Sequence, residues 1–454
     1  LSCVRVSPIC ESIGDFDTNA VFGAALCHTL GTTAWYSSRV STSTRFDGQV
    51  RWMHKARLYP TCAQDRRLVE MLRTTCELYN ALLQQRRDLW TTRRASIWSS
   101  VQHRQITELR SFEPRFARVY RECEDAVLRR LDQSFAAFFR RLKRGETPGY
   151  PRFKAISRWS QLQFPHADRA LRLKDQQRRV VIPGVGGIRM RKGRRIPQTF
   201  GRAFLTTKNG RWYITFECHR AIEAMPATNR RVGIDRGVRA LAATSDGALI
   251  ANPRHADRLR SKVARHARKL EVRSARDPAG RVTNRRDPLR AAAARRLARA
   301  KEREGNARRD WLHKVSRHIV DQYDLIALED LSLGVMTRSV RGTVNQPGRN
   351  VAAKSGLNRA LLDAGIGMLG TLIREKAEYA ARIVIRVDPQ YSSQTCAACG
   401  HVAKESRKAA RFRCVNCGHE ADADVNAARV ILLRAESPPR RARSTIASGS
   451  KMRA

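Results

Sequence analysis

The chain has 454 residues, a length that suggests about three domain-sized units. It carries 88 Lys and Arg against 41 Asp and Glu, a formal net charge of +47 at pH 7. So large an excess is self-repulsive unless a polyanion relieves it, so we expect nucleic acid as the partner. The apolar content of 42% excludes a wholly disordered chain. No apolar run reaches the ~18 residues of a membrane span, so we expect no membrane partner.

Residues 1–52 differ from the rest of the chain in charge. They hold four basic and four acidic residues, contain no Lys, and precede Met53, the first Met in the sequence. We expect this stretch to lie outside the folded protein, either as upstream sequence from a misplaced start or as a disordered extension. At the other end, residues 436–454 are rich in Pro, Arg and Ser, and we expect a disordered basic tail.

A β-domain interrupted by helices follows residue 52. Residues 53–61 alternate as a strand does, and residues 62–144 show helical apolar spacing after a capping box that starts at Thr61. Short strands separated by turns fill 145–225, and Asn209-Gly210 is a strong hairpin signal. We therefore predict a small β-barrel at 53–61 and 145–225 that carries a helical insertion.

A second α/β domain is predicted at 226–390 and 422–435. It begins with a strand pair over 229–250, and one amphipathic helix is expected over 357–380. Between these elements, residues 251–320 hold 22 Lys and Arg against 7 Asp and Glu. The excess is too one-sided for pairing along a helix, so we predict two long helices that contact phosphate. Further strands are expected at 324–330 and 383–387.

Four of the eleven cysteines form two C-x-x-C pairs, each followed by Gly and His. Four thiolates at this spacing are typical of a structural zinc site, so we predict that Cys396, Cys399, Cys414 and Cys417 bind Zn²⁺ within a ribbon at 391–421. His401 and His419 are not expected to be ligands, because four cysteines complete a structural site. A metal site rather than a disulfide framework indicates a reducing compartment.

Three carboxylates lie on otherwise apolar elements. Asp235 lies within a strand, flanked by Gly233 and Gly237, Glu329 ends a second apolar strand, and Asp424 opens the last helix. A buried carboxylate is costly unless it is paired or binds a cation, and three such groups on neighbouring strands could hold two Mg²⁺ ions. Each signal alone is weak, because acids at strand ends are often turn residues. Asp422 is an alternative to Asp424, and Asp330 is an alternative to Glu329.

Seven short motifs together resemble the TnpB family, the OrfB-type proteins of insertion sequences that are related to type V CRISPR effectors. They occur in the family's order along the chain, and they are Tyr59–Thr61, Gly149–Lys154, Val232–Gly237, Trp311–Lys314, Leu328–Leu331, Ser393–Gly400 and Asp422–Ala428. Arg236 departs from the family, which usually has an apolar residue there, and residues 1–52 have no counterpart.

The resemblance implies an RNase H-like (RuvC-like) nuclease domain with a zinc ribbon inserted before its last acid. It implies Asp235, Glu329 and Asp424 as catalytic acids that bind Mg²⁺, and the four cysteines as Zn²⁺ ligands. The β-barrel would correspond to the family's wedge domain and the helices to its recognition lobe. It further implies a transposon-derived guide RNA, DNA as the substrate, and a cytoplasmic protein associated with the nucleoid when bound to DNA.

The leading hypothesis is therefore an RNA-guided, Mg²⁺-dependent DNA endonuclease. Two alternatives stay open at this point: a catalytically inactive zinc-ribbon protein that only binds nucleic acid, and a transposase that performs strand transfer. The presence of all three acids argues against the first alternative. The sequence leaves the oligomeric state open.

Overall fold

The computed structural model describes residues 49–437, apart from positions 192, 194, 198, 199, 344 and 345. The expectations for residues 1–48 and 438–454 lie outside the described residues. The chain divides into two compact units, each built from separate stretches of sequence. The N-terminal unit takes in 49–224 and 255–311, and the C-terminal unit takes in 225–254 and 312–437.

The helical part of the N-terminal unit begins with the predicted capping box. The Thr61 hydroxyl accepts a hydrogen bond from the Gln64 N–H at 3.3 Å, and the Gln64 side chain accepts one from the Thr61 N–H at 3.0 Å. One face of the first helix, including Leu68 and Leu72, is buried in the core. The helices are α1 Cys62–Arg93, α2 Ser99–Phe112, α3 Pro114–Ala117 and α4 Arg121–Lys143.

Seven antiparallel strands form the sheet of the N-terminal unit. They are β1 Gln49–Tyr59, β2 Gln161–Phe164, β3 Arg172–Lys174, β4 Arg179–Ile182, β5 Gly186–Met190, β6 Phe200–Lys208 and β7 Arg211–Ala221, with a one-turn helix α5 at Ala167–Ala170. Their order is β2-β6-β7-β1-β5-β4-β3. Asn209 and Gly210 turn the β6–β7 hairpin with φ of 54° and 69°, as the sequence predicted. No ladder joins β2 to β3 in the described part of the chain, so the barrel stays a prediction.

The start of the folded chain differs from the predicted boundary. Strand β1 begins at Gln49 and pairs with β7 from its first residue, Gln49 opposite Ala221. The expectation that folding begins at Met53 was therefore wrong by four residues, because charge and composition do not report strand pairing. A protein that started at Met53 would lack the β1 residues that pair with the end of β7.

Two basic helices follow in the chain, and the first of them and the part of the second up to Trp311 belong to the N-terminal unit. They are α6 His255–Val272 and α7 Pro288–Gln322, and the two long helices predicted over 251–320 are therefore present. Glu302 on α7 accepts a hydrogen bond from Asn209 at 3.2 Å and lies 3.9 Å from the Lys208 ammonium. These contacts with the β6–β7 hairpin help to place 255–311 in this unit, although the sequence assigned the stretch to the domain at 226–390.

The C-terminal unit is built on a five-stranded mixed sheet. Its strands are β8 Arg231–Asp235, β9 Ala240–Thr244, β10 Leu249–Ala251, β11 Leu325–Glu329 and β12 Ile383–Val387. The order is β10-β9-β8-β11-β12. Strands β8, β11 and β12 are parallel, and β9 and β10 are antiparallel to their neighbours. Parallel β8 and β11 end at the same edge of the sheet.

The helices of this unit are α8 Leu333–Met336, α9 Val351–Ala364, α10 Ile366–Tyr379 and α11 Ala423–Glu436. Helix α11 packs on β8, β9, β11 and β12, and α10 packs on β12. The single helix expected over 357–380 is two helices, because Gly365 between them adopts a left-handed φ of 69°. Helix α11 packs closely against β8 at Gly233. A Cβ atom added there would lie 2.1 Å from the Ala428 carbonyl oxygen, so only glycine permits this approach.

A small ribbon lies between β12 and α11. It contains the antiparallel strands β13 Arg407–Lys408, β14 Arg411–Arg413 and β15 Glu420–Asp422. Phe412 is fully buried and packs with Cys396, Cys414 and Ala423. Within the described ranges, no helix is both long and apolar enough to span a lipid bilayer.

Candidate active site and metal centre

The four predicted zinc ligands converge in the ribbon. Their sulfur atoms all lie within 4.8 Å of one another. Each C-x-x-C-G-H copy forms the same turn: the N–H of the first cysteine bonds to the His carbonyl, and the Gly N–H bonds to the carbonyl of the first cysteine. Gly400 and Gly418 have φ of 74° and 72°, a conformation that favours glycine. The duplicated motif therefore builds two matching halves of one site.

The donor set suits a tetrahedral zinc ion, which takes four thiolates in structural sites. A hydrogen bond from the His401 backbone N–H is the largest influence on Cys399, and it lowers the pKa of that thiol to about 6. At Cys417 the matching hydrogen bond from the His419 backbone also lowers the pKa, but hydrogen bonds with the neighbouring thiols outweigh it and raise the pKa of Cys417 to about 12. In the described part of the chain, the clustered ligand atoms are those of the four cysteines alone, and neither His401 nor His419 is among them.

The three predicted acids meet at one edge of the C-terminal sheet. Asp235 ends β8, Glu329 ends the neighbouring parallel strand β11, and Asp424 lies in the first turn of α11, which packs on β8. The Glu329 and Asp424 residues are each only 8% exposed. The fold therefore brings three carboxylates, 94 and 95 residues apart in sequence, to the same sheet edge. Among the described residues they do not form a group as tight as the four cysteines, whose ligand atoms lie within 4.8 Å of one another.

Their mutual repulsion appears in the pKa of Asp235. Burial, followed by the nearby charges of Glu329 and Asp424, raises the pKa of the Asp235 carboxyl to about 7. Burial also raises the pKa of Glu329. Carboxylates held together away from water require compensating positive charge. Arg407 and Arg239 supply part of that charge at Asp424, and carboxylate oxygens are also the donors that divalent cations take.

The two alternative acids have other roles in the fold. Asp422 is the N-cap of α11: its carboxylate accepts hydrogen bonds from the backbone N–H groups of Asp424 at 2.9 Å and Val425 at 3.3 Å. Asp330 is exposed and pairs with Arg386 at 3.1 Å. Asp424 and Glu329 are the more buried acid of each pair, and their assignment as the functional acids stays a prediction.

Arginines contact the acids, and sequence reasoning identified only one of them. Arg407 donates to one Asp424 carboxylate oxygen at 3.0 Å, and Arg239 donates to the other at 3.0 Å while also bonding Asp422. Arg236 donates to the Glu329 carbonyl at 2.6 Å and the Ile366 carbonyl at 3.1 Å. Arg236 was noticed as a departure from the family, whereas nothing local in the sequence points to Arg407.

Two polar side chains near the acids were also missed. Ser392 donates its hydroxyl to the Glu329 carboxylate at 2.5 Å. Asn426 is fully buried and bonds the backbone of the first cysteine pair. Both residues belong to motifs quoted above or adjoin them, but only the folded chain reveals their partners.

Comparison with known proteins finds two family models on this chain. The model described as "Probable transposase" matches residues 213–340, and the model described as "Cas12f1-like, TNB domain" matches residues 367–431. The first of these covers β8, β9, β11 and the basic helices. The second covers most of α10, all of the ribbon and most of α11.

Two relatives align over most of the chain. A protein of Escherichia coli K12 named "Putative RNA-guided DNA endonuclease InsQ" is 33% identical over 307 residues, which is 67% of this chain and 72% of the relative. A protein of Streptomyces pristinaespiralis, also named as an RNA-guided DNA endonuclease, is 28% identical over 85% of this chain and 89% of its own length. Among solved structures, CasPhi-2 (Cas12j) bound to crRNA aligns with a TM-score of 0.43 at 11% identity, covering 86% of this chain and 99% of that one.

Proposed function

The chain belongs to the TnpB family, and on that premise we propose that it is an RNA-guided DNA endonuclease that hydrolyses phosphodiester bonds at a metal centre formed by Asp235, Glu329 and Asp424. The observation that carries the chemistry is the convergence of three buried or half-buried carboxylates at one sheet edge, with the pKa of Asp235 raised to about 7. Clustered carboxylates with shifted pKa values are concentrated at catalytic sites, which favours catalysis over binding alone.

The acids would hold two Mg²⁺ ions, since carboxylate oxygens are the ligands that Mg²⁺ prefers. When bound, such ions polarise the phosphate and make water a nucleophile at neutral pH. The chain's own residues hold the acids in place. Arg407 and Arg239 contact the two oxygens of Asp424, and Arg236 ties the end of β11 to the start of α10.

The fold of the C-terminal unit supports an RNase H-like, RuvC-like domain. From one edge inwards its sheet has β10, β9 and β8, in reverse sequence order, and then β11 and β12, which are parallel to β8. Acids end the adjacent strands β8 and β11. The ribbon with its four cysteines would be the zinc-binding insertion. In the N-terminal unit, the seven-stranded sheet would be the wedge-like domain and α1–α4 the recognition helices.

The charge supports a nucleic-acid complex as the working form. Helix α6 has no buried residue, so its basic side chains are open to a partner. In the N-terminal unit, exposed aromatic rings at Phe139, Tyr150 and Phe153 lie in a stretch that contains Arg140, Arg141 and Arg152. Rings interleaved with cations are typical of surfaces that bind nucleic acid. A guide RNA from the transposon end and the DNA that it pairs with would supply the phosphates, in the cytoplasm and at the nucleoid.

The test is cleavage of DNA by the purified protein with its bound RNA. We expect cleavage with Mg²⁺ and none with EDTA, and we expect Asp235→Ala and Glu329→Ala to lose cleavage while DNA binding is retained. Binding without any cleavage by the unaltered protein would favour the inactive binder. Joined donor and target ends in place of free ends would favour strand transfer.

A further inference from the structure

The stretch from Asp388 to Ala397 connects the sheet to the first cysteine pair, and we refer to it as the connecting segment. It leaves strand β12, passes the end of β11, and enters the ribbon at Cys396. All of its contacts described below lie within the C-terminal unit. They join it to two elements that carry predicted acids, β11 and α11.

At its centre the connecting segment touches Glu329 directly. The Ser392 hydroxyl lies 2.5 Å from a carboxylate oxygen of Glu329, and the residues are 5% and 8% exposed. The Pro389 carbonyl is also within reach of this hydroxyl, at 3.1 Å. A hydroxyl has a single proton to donate, and a bond to an ionised carboxylate is the stronger choice. Ser392 therefore fixes the orientation of the Glu329 carboxylate.

At its far end the connecting segment is bound by α11, the helix that carries Asp424. Asn426 is fully buried, donates to the Thr395 carbonyl at 2.7 Å, and accepts from the Ala397 N–H at 3.0 Å. One amide thus satisfies two backbone groups on either side of Cys396. Arg434, further along α11, donates to the Asp388 and Gln390 carbonyls, each at 2.8 Å.

We propose that Ser392 and Asn426 are positioning residues, through which the connecting segment sets the spacing and orientation of Glu329 and Asp424 for shared metal ions. The proposal rests on the metal-dependent function argued above. The segment contacts β11, which carries Glu329, and α11, which carries Asp424, and it also enters the ribbon. Through this segment the ribbon would help to hold Glu329 and Asp424 in position, in addition to binding zinc.

The expected loss of metal affinity follows from what is typical for residues that hydrogen-bond to a metal ligand. Groups that orient a metal ligand typically change metal affinity or activity by about 10- to 100-fold when they are removed. Ser392→Ala removes the donor and leaves the Glu329 carboxylate free to rotate. Ser392→Thr keeps the hydroxyl, and Ser393→Ala is a matched control, because Ser393 makes no side-chain hydrogen bond within the described residues.

The experiment measures Mn²⁺ affinity and DNA cleavage on the full chain with its bound RNA. During a Mn²⁺ titration, electron paramagnetic resonance measures the concentration of free Mn²⁺. The same titration of a Glu329→Ala complex gives the Mn²⁺ bound by the RNA, and this amount is subtracted to obtain binding at the acids. We expect Ser392→Ala to weaken site Mn²⁺ binding and to lower kcat by about 10-fold or more, with KM for DNA unchanged. Ser392→Thr should recover both the Mn²⁺ affinity and kcat, and Ser393→Ala should behave like the unaltered protein.

Asn426→Ala provides a second variant. Because the four cysteines remain, we expect its zinc content to be unchanged while Mn²⁺ affinity falls. The proposal is overturned if Ser392→Ala binds Mn²⁺ as tightly as the unaltered protein, if Ser392→Thr fails to recover affinity, or if Asn426→Ala loses zinc. Absence of cleavage by the unaltered complex would refute the proposed function instead, because Mn²⁺ binding is read independently of cleavage.

Discussion

Substitution of Gly233 by alanine is the sharpest test of how the acids are brought together. Gly233 lies on β8, two residues before Asp235, and α11 crosses it. An added Cβ would lie 2.1 Å from the Ala428 carbonyl oxygen and 2.7 Å from the Leu432 nitrogen. Both are backbone atoms, so no side chain can rotate away. The helix must instead move.

The displacement can be estimated from the contact distances. Ordinary contacts of a Cβ atom lie at 3.4–4 Å, against 2.1 Å here, so α11 must retreat by about 1 Å or more. Overpacking a core typically costs about 1–3 kcal/mol of unfolding free energy. In a unit of this size, that lowers Tm by about 2–4 °C per kcal/mol. Because α11 carries Asp424 and β8 carries Asp235, a shift of about 1 Å should cost about 100-fold in cleavage rate.

The assay pairs thermal unfolding with single-turnover cleavage. Gly305→Ala is the matched control, since a Cβ atom at Gly305 on α7 would meet nothing within 4 Å. There, alanine should leave stability unchanged or raise it by up to about 1 kcal/mol through helix propensity. If Gly233→Ala unfolds and cleaves like the unaltered protein, then the close packing of α11 on β8 does not set the distance between the acids.

Three further outcomes are expected. Metal analysis should find one zinc per chain, and Cys414→Ser should release it and lower cleavage; a zinc-free unaltered protein would contradict this. Asp424→Ala should abolish cleavage, whereas Asp422→Ala should keep most of it and lower Tm through the lost cap, typically by about 1 kcal/mol of stability; the reverse pattern would reassign the acid. Burial raises the pKa of Glu124 from 4.5 to about 7, so the folded protein holds this proton more tightly than the unfolded chain. The free energy of unfolding should therefore fall as pH rises from 4.5 to about 7, and denaturation of Glu124→Gln should lack that part of the slope.

Local spacing in the sequence was enough to predict the cysteine cluster. Each pair spans four residues followed by a glycine, so the turn that places both sulfur atoms is fixed by nearby residues alone. The structure adds the meeting of the two pairs, through the ribbon core around Phe412. A duplicated local motif is therefore the most reliable signal in this chain.

The acids were harder to predict, because each is ambiguous by itself. Asp422 and Asp424 both precede the last helix, and only the cap geometry distinguishes them: Asp422 accepts from the backbone, whereas Asp424 is buried beside Arg407. Glu329 and Asp330 also differ in their surroundings: Glu329 is the last residue of β11, all of which is buried, whereas Asp330 follows the strand, is exposed and pairs with Arg386. The surroundings of each acid, and not its residue type, distinguish the two candidates.

Contacts between residues far apart in the chain could not be predicted from the sequence. The residues around Arg407 and Arg239 give no indication that these side chains bond to Asp424. The residues around Glu302 likewise give no indication of its contact with the β6–β7 hairpin. The break between α9 and α10 did carry a signal, Gly365, but apolar spacing continues through it and predicted one helix. Long-range pairing needs the fold, because its partners are chosen by packing and not by spacing.

The central claim, guided DNA cleavage, is tested most directly by changing the RNA. The full chain would be purified with its RNA, the RNA sequenced, and the complex rebuilt with a guide end matched to a different plasmid sequence. The proposed function predicts that cleavage moves to the new match, requires Mg²⁺, and is lost in Asp235→Ala. Cleavage at the original positions whatever the guide, or equal cleavage by RNA-free protein, would contradict it.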